Sequence, residues 1–274
     1  MLEYPESYTI ARQMREAILG KTVASGEYVN PNANIFNPEG ASDRYSRSVG
    51  GTVTEIQYHA PDLYIALDNG YGIQFRQGGG KIFYSDAPSG EPKKYNFRFA
   101  FTDGSGVTYS VLLWSYGVDV IDHAAWDALT RAADATRFQP MSGSFQEYQA
   151  FVKNHLDDPK QAIKIYLTKN MAGIMSTFAG EILLRAGMHP SINIGRLDDA
   201  AHERIYNATR DVLTRACEAG GRTSEVDLYG HPGGYLAMSE RKHIGESCLQ
   251  CGNPLEKVSV GGVIAFCPKC QAKR

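Results

Sequence analysis

The chain has 274 residues, enough for about two domains with ordinary cores, and its 28 Lys and Arg against 30 Asp and Glu give a net charge of −2. Five cysteines, four of them in one short segment, exclude a secreted disulfide scaffold. There is no charged-then-apolar signal region and no run of about eighteen apolar residues, so the expectation is a soluble protein of a reducing compartment, most simply cytoplasmic, with no membrane partner.

The small net charge hides an asymmetry. Residues 1–148 hold 12 Lys/Arg against 17 Asp/Glu (−5), residues 149–240 hold 10 against 11 (−1), and residues 241–274 hold 6 against 2 (+4). Only the last segment has the basic excess of a surface that meets phosphates, although a basic tail is equally a solvated end.

Taken in order, Pro5-Glu6-Ser7 opens a helix, with Pro and Glu suited to a first turn. Ile10, Met14, Ala17 and Ile18 recur at helical spacing, and Gly20 stops the run. From Lys21 to about Tyr116 the pattern changes to short β-branched and aromatic runs: Thr52–Tyr58, Leu63–Leu67, Gly72–Arg76, Tyr95–Phe101 and Val107–Trp114. Asp68-Asn69-Gly70 and Asp103-Gly104 are hairpin signals. Strands at this spacing with no helices between them indicate an antiparallel sandwich or barrel. Gly78-Gly79-Gly80 lacks the strand–helix context of a phosphate-binding glycine motif. Residues 122–135 suit a short helix and Phe138 to Ser144 a linker. Helical spacing then covers Phe145 to Leu156, Pro159 to Thr168, Gly173 to Ala186 before Gly187, and Leu197 to Ala219 before Gly220-Gly221. Cys217, alone in the last of these, reads as a small buried apolar residue.

The chain closes on Cys248-x-x-Cys251, fifteen residues, and Cys267-x-x-Cys270. Two such pairs at this spacing are a zinc-ribbon pattern, and four thiolates fill a tetrahedral zinc with no open position, which makes the ion structural. The competing arrangements are two disulfides, or a redox pair beside a bystander pair. Val258–Val260 and Val263–Phe266 read as short strands turning at Gly261-Gly262. The fold class is therefore α+β: an N-terminal helix with an antiparallel β-sandwich (1–137), a hinge (138–148), a helical domain (149–240) and a zinc hairpin (241–274).

These residues also carry a family resemblance. Met1-Leu2-Glu3-Tyr4-Pro5-Glu6 resembles the Met-Pro-Glu-Leu-Pro-Glu opening of formamidopyrimidine-DNA glycosylases and endonuclease VIII. Ala172-Gly173-Ile174 with Glu181 to Pro190 is similar to their helix–two-turns–helix motif, and Gly252 to Gln271 to their zinc finger. The three matches fall in the family's order and bracket the chain. The resemblance implies a monomer with one structural Zn2+ that clamps duplex DNA, flips out an oxidised base, attacks C1′ with its N-terminal amine and nicks the strand by β,δ-elimination. Glu3 and Glu6 match the acidic positions beside the amine. For Glu6 a helix-terminus carboxylate is an equal reading; Glu3 precedes the helix start and lacks an evident structural role.

The chain also departs from the family. Leu2 stands where the family has its nucleophilic proline, and a bulky second residue normally prevents removal of Met1, leaving a primary amine one residue too far out. The family's hairpin lysine falls near Ala60-Pro61-Asp62, and no Lys or Arg occurs from Val49 to Phe75; His59 is the nearest titratable substitute for it. The phosphate-binding asparagine aligns with Ser176, which can still donate one hydrogen bond. The zinc-finger arginine is missing, Lys257 being the one cation between Cys251 and Cys267. The gap-filling methionine falls near Gly78, and Trp114 or Tyr116 could stack on bases or simply pack in a core. Each lost cation removes a charge-assisted contact of roughly 1.5–3 kcal/mol. His189 before Pro190 suits a helix end and His231-Pro232-Gly233-Gly234 a turn. Two functions remain open: a divergent glycosylase/lyase using Met1 or another amine with Glu3 and Glu6, or a non-catalytic member that binds DNA or a protein on the same scaffold.

Overall fold

The structure is a computed structural model and describes residues 2–28, 45–76, 80–110 and 117–273. The chain forms two compact units, one of residues 1–132 with 220–234, the other of residues 133–219 with 235–274. Gly220–Gly234, which follows the long helix in sequence, thus folds with the N-terminal part.

The first unit begins with helix α1 (Tyr4–Ile18), which buries Ile10, Met14 and Ile18 as their spacing requires. Among the described residues eight strands follow: β1 (Val23–Tyr28), β2 (Val53–His59), β3 (Asp62–Leu67), β4 (Tyr71–Phe75), β5 (Lys81–Ser85), β6 (Phe97–Phe101), β7 (Gly106–Ser110) and β8 (Val118–Asp122). They build two antiparallel sheets, β1-β6-β7-β5 and β2-β3-β4-β8. Alternate residues of both, among them Val53, Ile65, Ile73, Phe97, Phe99 and Val120, share one core with α1 and with Leu228. This is the antiparallel sandwich that the strand spacing predicts; β1, β5 and β8 add to the runs singled out above.

Helix α2 (His123–Thr136) follows β8 and buries Trp126, whose ring stacks on Tyr64 at 4.8 Å. The second unit holds α3 (Phe145–Asn154), α4 (Ile163–Asn170), α5 (Ser176–Ala186), α6 (Asp199–Glu218) and the hairpin β9 (Glu256–Ser259) with β10 (Val263–Phe266). Three helices start later than their periodicity predicts. Ala162 pairs with Asn193 and the Ile163 N–H bonds the Ile192 carbonyl, which holds residues 159–162 out of α4. Gly173 sits at φ +70°, delaying α5 to Ser176. Asp198 caps α6 by accepting from the Ala201 N–H at 2.7 Å. Cys217 is half-buried, contrary to the expectation of a buried residue, because Leu213 and Ala216 take the inner face of α6. Among the described residues no helix is long and apolar enough to cross a membrane.

Candidate functional site

The N-terminal acids are built into a buried ion cluster. Glu3 is the N-cap residue of α1 and Glu6 lies three residues on, so that Glu6 reaches back and accepts from the Glu3 N–H at 2.9 Å. Glu6 also receives Arg222: Nε donates to Oε1 at 2.9 Å, Nη2 to Oε2 at 3.1 Å, and the Arg222 backbone N–H to Oε1 at 3.0 Å. Arg222 Nη1 is 3.4 Å from Glu3 Oε1, and Nη2 is 3.8 Å from Glu225 Oε1. Glu3, Glu6 and Arg222 are all buried.

Sequence makes this approach possible at Gly221, whose φ is +96° and whose missing Cβ would meet Glu6 Cγ at 3.1 Å. A side chain there would push the Arg222 backbone off the carboxylate. Burial by itself lowers the guanidinium's affinity for its proton, but the charges of Glu6, Glu3 and Glu225 and the Glu6 hydrogen bonds more than offset this and hold Arg222 above its ordinary pKa. Chemically, this arrangement fixes both carboxyl groups against one guanidinium and suits Glu3 and Glu6 to holding and electrostatic roles. The structural role that the sequence did not offer for Glu3 is thereby supplied: it caps α1 and pairs with Arg222. Leu2 is half-buried against the sandwich core. Met1, Gly78, Trp114 and Tyr116 lie outside the described residues.

At the other expected positions the surroundings are varied. His59 ends β2 half-buried, its ring perpendicular to Trp126 at 6.4 Å. His231 is in a turn whose backbone N–H groups bond Asp227, as the His-Pro-Gly-Gly run suggests. His189 Nδ1 faces the Ser191 N–H and hydroxyl at 3.2 and 2.8 Å; desolvation, with a smaller effect of Lys273, lowers its pKa.

In the second unit Ser176 is the first residue of α5. Its hydroxyl accepts from Lys164 Nζ at 2.8 Å, and the same ammonium donates to the Val260 and Gly261 carbonyls at 2.9 and 3.0 Å. Lys164 is fully buried. Lys257 is exposed on β9, opposite Ala265.

The four cysteines of the C-terminal segment converge, with all four Sγ atoms within 4.8 Å of one another. Cys251 and Cys267 Sγ are 3.4 Å apart and none of the five cysteines is in a disulfide. Zinc–sulfur bonds of about 2.3 Å in a tetrahedron put sulfurs roughly 3.8 Å apart, so the donor set fits one zinc ion and leaves the two-disulfide arrangement aside. Around the knuckle, Gln271 accepts from the Cys267 N–H at 2.8 Å and donates to the Met188 carbonyl at 2.9 Å. The hairpin register, Val263 to Ser259 and Phe266 to Glu256, places the turn at 260–262 as read from the sequence.

Two residues of these clusters have no counterpart in the sequence reading. Arg222 is 216 residues from Glu6, and its only local sign is the Gly220-Gly221 pair before it. Lys164 reads as an ordinary polar position of an amphipathic helix, and its two carbonyl acceptors are 96 and 97 residues away.

The chain is similar to known proteins over its whole length. The model of the formamidopyrimidine-DNA glycosylase N-terminal domain matches residues 1–111. Formamidopyrimidine-DNA glycosylase of Bacillus subtilis (strain 168) is 27% identical over 283 residues, covering 100% of both chains. That of Geobacillus kaustophilus (strain HTA426) is 28% identical over 281 residues, covering 99% of this chain and 100% of the relative. Among solved structures, Lactococcus lactis Fpg (MutM) in complex with DNA containing N7-benzyl-Fapy-dG superposes with a TM-score of 0.84 at 21% identity, over 99% of this chain and 100% of that one. Lactococcus lactis Fpg with abasic-site DNA gives 0.82 over the same shares. The structural likeness shows the fold, and in sequence the chain is similar over its whole length to formamidopyrimidine-DNA glycosylases.

Proposed function

We propose that this protein binds duplex DNA, including damaged duplex, and that its base-excision and strand-nicking activity is weak or altered. The observation that carries this reading is the Arg222 cluster. Both acids that would serve the amine are buried and bonded to one guanidinium, while position 2 is leucine and no cation lies from Val49 to Phe75. Lesion chemistry of this type needs a nucleophilic amine, a mobile proton at a carboxylate and cations on the phosphates. Binding needs less: Ser176 and Lys257 as phosphate contacts, the basic zinc segment, and in this reading Trp114 or Tyr116 against bases. That the protein is a cytoplasmic monomer belongs to the same proposal.

A second reading, a catalytically silent member that binds DNA or a protein, is favoured by the same clamp on Glu3 and Glu6. A gel-shift series over salt tests both. Duplex binding that weakens linearly in log salt, with slow nicking of abasic duplex, supports the first reading. Binding with no nicking of any lesion supports the second, and absence of binding removes DNA as the partner.

A further inference from the structure

Helix α1 buries one face in the sandwich and leaves a second one exposed. Ile10, Ala11, Met14 and Ile18 enter the core. Away from them, Tyr8, Arg12, Arg15 and Leu19 follow one another at intervals of four, three and four residues. At 3.6 residues per turn this spacing aligns them in one stripe about 16 Å long. All four are exposed, Tyr8 at 39% and Leu19 at 54%.

The stripe is held in place by β2. The Tyr58 hydroxyl donates to the Tyr4 carbonyl at 3.0 Å, and its ring stands edge-to-face with those of Tyr4 and Tyr8, with centroids 5.3 and 6.0 Å away. Arg15 Nε and Nη2 donate to the Ile56 carbonyl at 3.1 and 2.8 Å. A carbonyl is neutral, so these bonds fix the guanidinium without cancelling its charge. Among the described residues Arg12 has no hydrogen-bond or ion-pair partner, and neither arginine is within ion-pair distance of a carboxylate. Elsewhere in the same unit Lys21, Arg76, Arg98 and Arg222 face Asp103, Asp119, Glu91 and Glu6. The stripe thus sets two uncompensated cations between two exposed apolar groups, in a part of the chain, residues 1–148, that holds 12 Lys/Arg against 17 Asp/Glu.

We propose that this face of α1 docks a short acidic peptide segment of a partner protein, with its carboxylates on Arg12 and Arg15 and its apolar side chains on Tyr8 and Leu19. Charge complementarity selects an anion. The exposed leucine and phenol select an anion that carries apolar groups. The acidic surroundings disfavour a long polyanion such as a nucleic-acid strand, whose further charges would meet Asp and Glu beyond the stripe. Tyrosine and arginine side chains already fixed in place lose little freedom on binding, which suits them as interface anchors. The inference goes beyond the duplex-binding reading and does not rest on it.

The test uses the full-length, zinc-loaded protein and a short fluorescent peptide of aspartates with a phenylalanine at each end, read by anisotropy. The expected result is saturable binding that weakens as salt rises. Tyr8→Ala and Arg12→Gln are each expected to reduce it roughly fivefold or more, the usual loss at an interface anchor. Both positions are exposed, so the thermal midpoint and the duplex gel shift of the variants are expected to match the parent. Absence of peptide binding overturns the proposal, as does equal binding by the parent and both variants, or equal binding of the matching lysine peptide. A labelled oligothymidylate strand that binds where the peptide does not, and is lost in the same variants, gives the face to nucleic acid and also overturns it. Peptide binding and the duplex gel shift are read separately, so that either proposal can fail alone.

Discussion

Arg222 Nε lies 2.9 Å from Glu6 Oε1, joining the first turn of the first helix to a segment 216 residues later. Breaking a buried ion pair by removing one partner costs about 3–5 kcal/mol, because the other charge is left without compensation. Arg222→Met should lose stability in that range by urea unfolding. Arg222→Lys should recover only part of it, since a single ammonium cannot span Glu6 in two-point fashion and still approach Glu3.

Leu228 offers a packing test of the same return segment. It is fully buried in the sandwich core, its carbonyl accepts from the Tyr84 N–H at 2.9 Å, and its N–H bonds Gln13 Oε1 at 3.0 Å. Leu228→Ala should destabilise by about 2–5 kcal/mol. Hydrogen exchange should show the loss in the sandwich strands and not in the helices of the second unit.

Glu181 predicts a pH dependence. It is buried on α5, where its oxygens accept from the Ser239 N–H at 2.5 Å and the Tyr235 hydroxyl at 3.2 Å. Desolvation outweighs these bonds and pushes its pKa above the ordinary glutamate value. An acid with a raised folded pKa contributes stability that is fully present below its unfolded pKa and is lost as pH rises through the folded value. Glu181→Gln keeps an acceptor for Ser239 without the charge, so the stability of the variant relative to the parent should be greater at about pH 8 than at about pH 4.5. A difference that does not change with pH in denaturant titrations would contradict this.

Much of the fold is legible in the sequence. The period of α1, the hairpin signals at Asp68-Asn69-Gly70 and Asp103-Gly104, and the Cys-x-x-Cys pairs each encode their element locally, within a few residues. Helix starts are less legible because they depend on distant partners, as Ala162 does on Asn193. The candidate site is the least legible part. Glu3 and Glu6 are visible as acids, but their shared guanidinium comes from Arg222, and no local pattern links residue 6 to residue 222. The same holds for Lys164, whose two carbonyl acceptors are at the turn of the β9–β10 hairpin.

Zinc removal should act on one unit. Metal analysis should return one zinc per chain, bound by Cys248, Cys251, Cys267 and Cys270. Structural zinc sites of this kind carry an apparent binding free energy of about 10–16 kcal/mol, so a strong chelator, or Cys267→Ser, should unfold the β9–β10 hairpin. The sandwich, whose core lies elsewhere in the chain, should keep its amide protection.

In the function proposed above, the scaffold binds DNA while the Arg222 clamp, together with Leu2, leaves its amine chemistry weak or altered. Borohydride trapping on an abasic-site duplex, at protein concentrations where the gel shift is complete, addresses it most directly. The expected result is a fully shifted duplex with little covalent adduct over hours. Rapid, stoichiometric adduct at the N-terminus would contradict it.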